Sequence, residues 1–400
     1  MNILFLSIGK LNNIEDKGLY TDLLRKFRDE GHNVVVVSPN EKRLNKPTEY
    51  VNENGVKFLR IRIGNITKTN IIEKGVSTLR IEGLYLKYIK RFLKNIKFDL
   101  VIYSTPPITF EKVIGYIKKR DNAKSYLLLK DIFPQNAVDL KMLSTTNPIY
   151  KYFRRKETKL YKQSDFIGCM SQANVDFILK NNVDISNTKI EICPNSIEPI
   201  QLEKDATLIR EIREKYNIPL DKTVFMYGGN LGKPQGIDFL IECLNAHKEN
   251  EQVYFIIAGS GTEFNKLKNY FNKTNLENAQ LFEQLPKNEY EILANSCDVG
   301  LIFLDRRFTI PNFPSRLLSY MQASMPVLAA TDVNTDIGDT IQKGDFGKWS
   351  ESGDIETFNS NITLLCSKNL REKMGENART YLEKNYTTTH SYNIIMKHFK

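Results

Sequence analysis

The stretch that decides the fold reads Asn312-Phe-Pro-Ser-Arg-Leu-Leu-Ser-Tyr-Met-Gln-Ala-Ser-Met-Pro-Val-Leu-Ala-Ala-Thr331. It begins as a polar turn and continues with helical spacing of its apolar residues, Leu317, Leu318 and Met321. The run Pro326–Ala330 then has the composition of a fully buried parallel strand. A turn, a helix and a buried strand in this order predict a parallel α/β unit.

The start of this predicted helix has the chemistry of an anion site. Pro314 and Ser315 lie where the helix would begin, and Arg316 follows them. Free backbone N–H groups at a helix start, with a hydroxyl and a guanidinium beside them, can hold a diphosphate. The alternative is an ordinary capped helix, because serine is common near helix starts.

Apolar strands alternate with helical segments over the whole chain, which predicts α/β domains with parallel sheets. The strands are predicted at 2–7, 33–37, 57–61, 100–103, 125–129, 166–169, 189–192, 223–227, 253–258, 280–282, 299–303 and 326–330. A chain of 400 residues exceeds the usual size of a single core, so we expect two domains. The two prolines of Cys193–Ile200 mark the boundary.

Several classes of protein are disfavoured. No apolar run of about 18 residues and no signal-peptide pattern is present, so the apolar start 1–8 is predicted to be the first strand. The five cysteines are scattered and the four histidines lack ligand spacing, which argues against a disulfide framework or a zinc site. We expect a cytoplasmic protein without a metal or other cofactor.

The positive charge is concentrated in the first half of the chain. Residues 1–200 contain 34 Lys and Arg against 21 Asp and Glu, or +13, while residues 201–400 contain 23 against 26, or −3. Two segments, 79–97 and 150–162, place cations between apolar residues at helical spacing, as in helices that lie on an anionic membrane. The residues predicted to face the membrane are Lys87, Lys90, Arg91, Lys94, Arg154, Arg155 and Lys156. Two alternatives to a membrane remain for these segments: they bind nucleic acid, or they are solvated helix faces without a partner. The sequence contains no recognisable nucleic-acid-binding module.

A second anion signal is the glycine-rich turn Gly228–Gly236, which lies between a predicted strand and a predicted helix. Its glycines let the backbone approach an anion, and Asn230 and Lys233 can contact phosphate oxygens. It matches neither the Walker A loop nor the dinucleotide fingerprint Gly-x-Gly-x-x-Gly, which disfavours a nicotinamide dehydrogenase. A third turn, Ala258-Gly-Ser-Gly261, also follows a strand, so three such loops are predicted at one sheet edge.

With these motifs in this order, the whole chain resembles the family 4 glycosyltransferases of the GT-B fold, and in particular those of capsular and O-antigen assembly that look like N-acetylfucosamine transferases. The motifs that carry the resemblance are Lys130–Asn136, Cys193–Ser196, Gly228–Gly236, Ala258–Gly261, Asn295–Leu301, Pro314–Met321 and Met325–Val327. The resemblance implies two Rossmann-like domains facing across a cleft and a final helix that crosses back to the first domain. It places an acceptor-binding domain at 1–198, completed by about 384–400, and a donor-binding domain at 199–383.

The resemblance also implies roles for individual residues. It places the donor diphosphate on Gly229, Asn230, Lys233, Ser315 and Arg316, and the nucleotide on Gly259, Ser260 and Gly261. Donors and cations fixed there would stabilise the charge that develops on the leaving phosphate, with retention of anomeric configuration and without a metal. No Asp-x-Asp motif is present to chelate one.

The chain departs from the family at a pair of carboxylates. Many members carry Glu-x7-Glu, whose second carboxylate holds the ribose, and this chain has Pro311 and Ser319 at the two positions. Ser319 can donate a hydrogen bond to a ribose hydroxyl, but a neutral hydroxyl binds more weakly than a carboxylate.

Asp131 is the candidate catalytic residue of the first domain. It follows the apolar strand 126–129 and precedes Ile132-Phe-Pro134, so it is predicted at the carboxyl edge of the sheet, where it can orient or deprotonate an acceptor hydroxyl. A surface aspartate that caps a helix is the alternative.

The sequence predicts a hexosyl-type transferase at the inner face of the cell membrane. Its partners would be a nucleotide-sugar, a lipid-linked saccharide and the anionic membrane surface, with no nucleic acid. Two alternatives from other classes are a nucleotide-sugar epimerase of the same fold and a non-catalytic membrane-binding or polysaccharide-binding relative. The epimerase needs several acid/base groups and Asp131 is the obvious one, whereas the missing carboxylate pair permits the non-catalytic relative.

Overall fold

The protein divides into two compact units. This computed structural model describes residues 1–202, 205–283 and 285–399. The first unit comprises Met1–Glu198 and Thr388–Lys400, and the second comprises Pro199–Thr387. The chain therefore leaves the first unit within the proline-containing segment 193–200 and returns to it near the carboxyl terminus.

The first unit is built on an eight-stranded sheet. Its strands are β1 (Asn2–Leu6), β2 (Asn33–Glu41), β3 (Glu49–Glu53), β4 (Val56–Ile63), β5 (Leu100–Ser104), β6 (Lys124–Leu129), β7 (Phe166–Cys169) and β8 (Ile190–Ile192). They are ordered β3-β4-β2-β1-β5-β6-β7-β8. All neighbours are parallel except β3 and β4, which form an antiparallel pair at one edge.

The second unit is built on a six-stranded sheet whose neighbours are all parallel. Its strands are β9 (Thr223–Asn230), β10 (Val253–Ser260), β11 (Ala279–Phe282), β12 (Val299–Phe303), β13 (Val327–Thr331) and β14 (Gly347–Glu351). Their order is β11-β10-β9-β12-β13-β14. The fold prediction, two domains with parallel sheets, is confirmed.

Helices connect the parallel strands. In the first unit they are α1 (Leu19–Asp29), α2 (Ile71–Phe92), α3 (Glu111–Asp121), α4 (Gln135–Asp139), α5 (Pro148–Gln163) and α6 (Gln172–Asn181). In the second they are α7 (Ala206–Lys215), α8 (Ile237–Ala246), α9 (Phe264–Thr274), α10 (Lys287–Asn295), α11 (Arg316–Gln322), α12 (Ile337–Lys343), α13 (Ile355–Leu365) and α14 (Lys368–Asn385). The last helix, α15, is Thr388–Met396. None of the described helices combines the length and apolar character needed to cross a bilayer.

The core of each unit lies around its central strands. Val34 to Val37 of β2 and Val327 to Ala330 of β13 are fully buried, so both faces of these strands are covered. Strands covered on both faces read as continuous apolar runs, which explains why they were predicted from sequence.

Helix α15 belongs to the core of the first unit. Ile395 is fully buried in it, and the ring centroid of Tyr392 lies 5.0 Å from that of Phe27 in α1. The Ser391 hydroxyl donates a hydrogen bond to the carbonyl oxygen of Pro194, at 3.3 Å. The prediction that the final helix crosses back to the first domain is confirmed.

Two strands were missed by the sequence prediction. β3 and β14 both lie at sheet edges, and their sequences, Glu-Tyr-Val-Asn-Glu and Gly-Lys-Trp-Ser-Glu, are mostly polar and only partly buried. An edge strand packs against fewer neighbours and needs no continuous apolar run, so it has no strong sequence signal.

Candidate functional site

The first glycine turn, Gly228–Gly236, leaves the carboxyl end of β9 and leads into α8. Gly229 has a φ of +126°, which favours glycine. The side-chain oxygen of Gln235 accepts hydrogen bonds from the backbone N–H of Gly232, at 3.2 Å, and from the side-chain amide of Asn230, at 3.0 Å. The shape of the turn is therefore fixed by its backbone and by one side chain that the sequence prediction did not single out.

The two predicted side-chain ligands of this turn are exposed. Asn230 ends β9, and Lys233 begins a three-residue 3₁₀ helix. Gly236 has a φ of +54° at the start of α8, and a Cβ at this position would lie 3.0 Å from the carbonyl oxygen of Leu304. The positive end of α8 thus lies at the same turn as the exposed amide and ammonium groups.

The second glycine turn, Gly259–Gly261, runs beside the first. β9 and β10 are in register, so that Gly259 pairs with Gly229 and Ser260 with Asn230. A Cβ at Gly259 would lie 1.8 Å from the carbonyl oxygen of Gly229, a distance that no side chain tolerates. These glycines therefore have a packing role, and Ser260 is exposed between them. Their predicted contact with a nucleotide stays a prediction.

Helix α11 starts slightly later than the sequence predicts, after Pro314 and Ser315. The helix begins at Arg316 and has seven residues, and Ser315 precedes it with an exposed side chain that makes no capping hydrogen bond within the described chain. A helix of two turns has a weaker dipole than a long helix, so binding of an anion here depends chiefly on the Arg316 guanidinium.

Tyr320 fixes α11 against β9. Its hydroxyl lies 3.2 Å from the carbonyl oxygen of Met226 and 3.1 Å from that of Leu301, and it accepts a hydrogen bond from the N–H of Gly228 at 3.3 Å. The tyrosine is buried, and burial is the main reason that its pKa is raised above its ordinary value. Through this hydroxyl, the helix that carries Arg316 is attached to the strand that ends in the first glycine turn.

Arg316 lies directly beside the first glycine turn. Its Cζ is 4.2 Å from the ring centroid of Tyr227, and its Nη2 would be 3.5 Å from a Cβ placed on Gly229. Its Nη1 is buried and has no hydrogen-bond partner among the described residues. A buried N–H of a cation costs free energy unless an acceptor satisfies it, so the guanidinium is poised to bind an anion.

The positions of the missing carboxylates lie in the same region. Ser319 is exposed one helical turn after Ser315, and Pro311 is buried. The side-chain nitrogen of Asn312 is buried without a hydrogen-bond partner among the described residues. Asn312 was not predicted as a site residue, since a lone asparagine in a turn carries no specific signal.

Asp131 follows β6 in the first unit. Its backbone N–H donates to the Thr105 hydroxyl at 3.1 Å, and that hydroxyl donates to its carbonyl oxygen at 2.9 Å. The Asn136 side chain donates to Oδ1 at 2.9 Å. Part of the side chain is accessible, yet surrounding protein atoms remove enough water to raise the pKa of Asp131 to about 6. A carboxyl with this pKa can exchange a proton near neutral pH.

The sequence prediction passed over the preceding residue, Lys130. Burial lowers the pKa of its ammonium group, and Nζ donates to the carbonyl oxygen of Cys193 at 3.3 Å. Lys130 and Asp131 are both half-buried, and the bond from Nζ ties Lys130 to the segment that follows β8.

The predicted membrane-facing cations fall into two groups. On α2 and just after it, Lys87, Lys90, Arg91 and Lys94 are all exposed. On α5, Arg155 is exposed, but Arg154 binds the buried Glu157 at 2.7 Å, and Lys156 lies between two carboxylates, 3.5 Å from Glu111 and 3.8 Å from Glu82. Of the seven predicted membrane-facing cations, the exposed ones therefore lie mainly on α2 and just after it.

Over the described ranges, no group of three or more His, Cys, Asp or Glu side chains is placed to hold a metal ion. The cysteines that the structure describes are all free thiols.

Most of the second unit is similar to a known protein family. Residues 209–381 match the model of glycosyl transferases group 1. A probable glycosyltransferase of Pseudomonas aeruginosa, WbjE, is 24% identical over 80% of this chain and 78% of its own length. A putative colanic acid biosynthesis glycosyl transferase of Escherichia coli K12, WcaI, is 22% identical over 44% of this chain and 42% of its own.

Solved structures share the fold of the whole chain. The sucrose-phosphate synthase of Thermosynechococcus elongatus superposes with a TM-score of 0.76, covering 100% of this chain and 98% of that one at 13% identity. HepE of Anabaena, solved in complex with UDP and glucose, superposes with a TM-score of 0.71, covering 100% and 99% at 15% identity.

The candidate site lies in the part of the chain that matches the family model. The glycine turns, α11 and its arginine all lie within residues 209–381. The protein thus has the two-domain fold of the GT-B glycosyltransferases, and residues 209–381 of its second unit match the model of glycosyl transferases group 1.

Proposed function

We propose that this protein is a retaining glycosyltransferase that moves a sugar from a UDP-linked donor to a lipid-linked saccharide in the assembly of a bacterial surface polysaccharide. The observation that carries this proposal is the juxtaposition of Arg316 with the first glycine turn. A buried guanidinium N–H that has no partner among the described residues lies beside a turn with an exposed amide and an exposed ammonium group. This is the chemistry that binds a diphosphate.

The same groups explain how the donor would be activated. When the bond between the sugar and the diphosphate breaks, negative charge grows on the departing phosphate oxygen. Arg316 and Lys233 stabilise that charge more in the transition state than in the ground state, because the charge is larger there. Two cations and the helix start of α8 can do this without a metal ion, and we propose metal-independent transfer.

Asp131 is proposed to act on the acceptor. A carboxylate at the carboxyl end of β6 can accept a hydrogen bond from the attacking hydroxyl and, with a pKa of about 6, take up its proton near neutral pH. The Asn136 amide and the Thr105 hydroxyl hold the residue in place for this role.

The donor and the pathway are inferred from similarity. HepE of Anabaena was solved with UDP, which supports a uridine nucleotide here. The resemblance to N-acetylfucosamine transferases suggests an N-acetylated deoxysugar. WcaI is described by its role in colanic acid biosynthesis, which supports an exopolysaccharide, capsule or O-antigen pathway.

The acceptor is proposed to be presented at the inner surface of the membrane. A saccharide on a polyprenyl diphosphate is anionic and embedded in the bilayer, and the exposed cations Lys87, Lys90, Arg91 and Lys94 would attract both the carrier and anionic lipids. Replacing these four residues with alanine should weaken binding to anionic vesicles and leave neutral vesicles unaffected. Unchanged binding to anionic vesicles would remove this part of the proposal.

The first test is a thermal-shift screen of the purified protein with UDP, GDP, ADP and TDP, with and without magnesium. A ligand that binds the folded state raises the melting temperature in proportion to the logarithm of its concentration over Kd. We expect stabilisation by UDP alone and no dependence on magnesium. Stabilisation by none of the four would favour the non-catalytic relative that lacks the carboxylate pair.

The second test is turnover of a UDP-sugar with a lipid-linked acceptor. We expect a product with the anomeric configuration of the donor, measured by NMR coupling at the anomeric carbon. Conversion of the donor into an epimer without any acceptor would instead identify the protein as a nucleotide-sugar epimerase.

A further inference from the structure

A second site lies in the first unit, at the carboxyl ends of β2 and β4. Here the first half of α2 runs beside Lys42, which follows β2, and Arg62, which lies near the end of β4. Between them is an open cavity of about 680 Å³. This volume is within the range of cavities that bind small molecules.

The walls of the cavity combine cations with apolar side chains. Lys42, Arg62 and Arg80 line it together with Val76 and Leu79, and no acidic side chain in the described ranges does so. Arg62 and Arg80 have exposed side chains and form no ion pair with any residue in the described part of the chain. An arginine pair without a carboxylate partner is suited to a ligand that carries more than one negative charge.

Lys42 contributes less to the positive potential of the cavity than the two arginines, because a carboxylate lies near it. It lies close enough to Glu73 to affect that carboxyl, whose pKa is lowered first by a hydrogen bond from Thr69 and least by the charge of Lys42. The positive character of the cavity therefore rests mainly on Arg62 and Arg80.

An apolar stripe on α2 adjoins the cavity. Ile72, Val76 and Leu79 are spaced at i, i+4 and i+7, so they lie on one face of the helix, and their exposed fractions are 81%, 50% and 57%. Large apolar side chains exposed in a row are uncommon on a soluble surface without a partner. The ligand of this region is expected to be apolar beside its charged group.

Gly83 of α2 lines the cavity without a side chain. A glycine inside a helix costs about 1 kcal/mol relative to alanine. Packing does not require it, since a Cβ at Gly83 would meet no atom within 4 Å. The missing side chain leaves room in the cavity wall that α2 lines.

We infer that this cavity binds the diphosphate and the adjoining isoprene units of a polyprenyl diphosphate, which carries the saccharide acceptor. Two unpaired arginines match the multiple charge of a diphosphate better than the single charge of a common anionic phospholipid. The apolar stripe then lies along the hydrocarbon chain where it enters the bilayer. This inference rests on the proposed function, because it identifies where the lipid of the acceptor binds.

The experiment compares binding of the whole protein to two kinds of phosphatidylcholine vesicles. One kind contains a polyprenyl diphosphate, and the other contains phosphatidylglycerol at equal total charge. The wild-type protein should prefer the first kind. Arg62→Ala combined with Arg80→Ala should lose about tenfold or more in affinity for it, since each cation near a membrane surface contributes about a factor of five. Gly83→Leu should abolish the preference by filling the cavity.

Matched controls separate the cavity from general effects. Lys119→Ala combined with Lys124→Ala removes the same charge from exposed positions of the first unit and should keep the preference. Thr78→Leu also places a leucine on α2, but Thr78 lies on another face of the helix from the apolar stripe and does not line the cavity, so this variant should bind normally.

Three results would overturn the inference: equal binding of both vesicles by the wild type, a preference that survives in Gly83→Leu, or equal losses in Thr78→Leu and Gly83→Leu. The UDP thermal shift is measured on the same variants. If lipid preference fails while UDP still stabilises the protein, only the cavity assignment fails. If UDP stabilises none of them, the proposed function fails independently of the cavity.

Discussion

The carboxyl edges of the two sheets are built from opposite chemistry. In the second unit, glycine turns follow β9 and β10, and a guanidinium, an ammonium group and an amide surround the first turn. In the first unit, the edge after β6 presents one carboxyl, Asp131, whose pKa is raised to about 6 by burial. One edge offers positive charge and hydrogen-bond donors, whereas the other offers a proton acceptor.

This contrast indicates how a parallel α/β fold can be used twice in one chain. Both edges arise from the same strand and helix arrangement, in which loops gather at the carboxyl ends of the strands. The glycines, arginine and lysine of one edge suit a phosphate that gains negative charge, and the carboxyl of the other suits a hydroxyl that loses a proton. Single substitutions at one edge or the other test this difference between the two edges.

The largest effect is expected for Gly259→Val. A Cβ at Gly259 would overlap the carbonyl oxygen of Gly229, so the two glycine turns must separate. We expect a loss of about 3 kcal/mol in the free energy of unfolding and complete loss of stabilisation by UDP. Thermal unfolding with and without UDP measures both.

Ser260→Val is the control for this variant, because Ser260 lies between the glycines with an exposed side chain. It should melt near the wild-type temperature. If Gly259→Val unfolds at the wild-type temperature and still binds UDP, the packing role assigned to the second glycine turn is wrong.

The next largest effect is expected for Arg316→Ala. Loss of one cation that stabilises a developing negative charge should lower kcat by about 10²- to 10³-fold. Stability without ligand should fall by about 1 kcal/mol at most, because the variant loses the contact of the guanidinium with the Tyr227 ring, while Nη1 makes no hydrogen bond within the described chain. Steady-state kinetics and thermal unfolding measure the two quantities.

Arg316→Lys keeps the charge but loses the planar, two-pronged donor geometry. Partial recovery of kcat in this variant would show that charge contributes, and no recovery would show that geometry dominates. A kcat for Arg316→Ala within twofold of the wild type would contradict the role of the guanidinium.

The sequence predicted the parallel strands and missed the edge strands for one physical reason. β2 and β13 are covered on both faces and are apolar throughout, whereas β3 and β14 are mostly polar. Apolar periodicity reports burial, so it finds central strands and passes over edges.

The candidate site was predictable to a similar extent. Glycine turns and a helix start have local signals, so the sequence alone predicts Gly229, Lys233 and Arg316 as donor-site residues, and this assignment stays a prediction. That Arg316 lies over Tyr227 and beside Gly229 depends on Tyr320 fixing α11, and no local pattern encodes such a contact. The packing role of Gly259 was hidden for the same reason.

The pH dependence of activity tests whether Asp131 acts as a base. If Asp131 accepts the proton of the acceptor, activity should rise with pH through an apparent pKa of about 6, because only the ionised carboxylate can act as a base. Asp131→Asn should lower kcat by about 100-fold and abolish this limb of the pH profile. A limb that persists in Asp131→Asn would assign it to another group.

Stability provides an independent readout for the same residue. The pKa of Asp131 is raised from 3.8 to about 6 on folding, so ionisation of the carboxyl opposes folding. That cost is absent below pH 4, grows between pH 4 and 6, and is fully present above. Relative to the wild type, Asp131→Asn should therefore melt at a higher temperature above pH 6 and at a similar temperature below pH 4. A residue that is stabilising as a carboxylate would show the opposite trend.

The smallest effect is expected for Lys233→Ala. Lys233 is exposed at the start of a 3₁₀ helix, so water and salt screen its charge more than that of the half-buried Arg316. We expect KM for the donor to rise about fivefold and kcat to fall by less, with the difference from wild type shrinking as ionic strength increases. Lys273→Ala, which removes an exposed charge from α9, should have neither effect. If Lys233→Ala lowers kcat as much as Arg316→Ala, Lys233 must become desolvated when the donor binds. The first glycine turn would then have to move when the donor binds, because Lys233 on this turn is exposed to solvent, whereas Arg316 on α11 is half-buried.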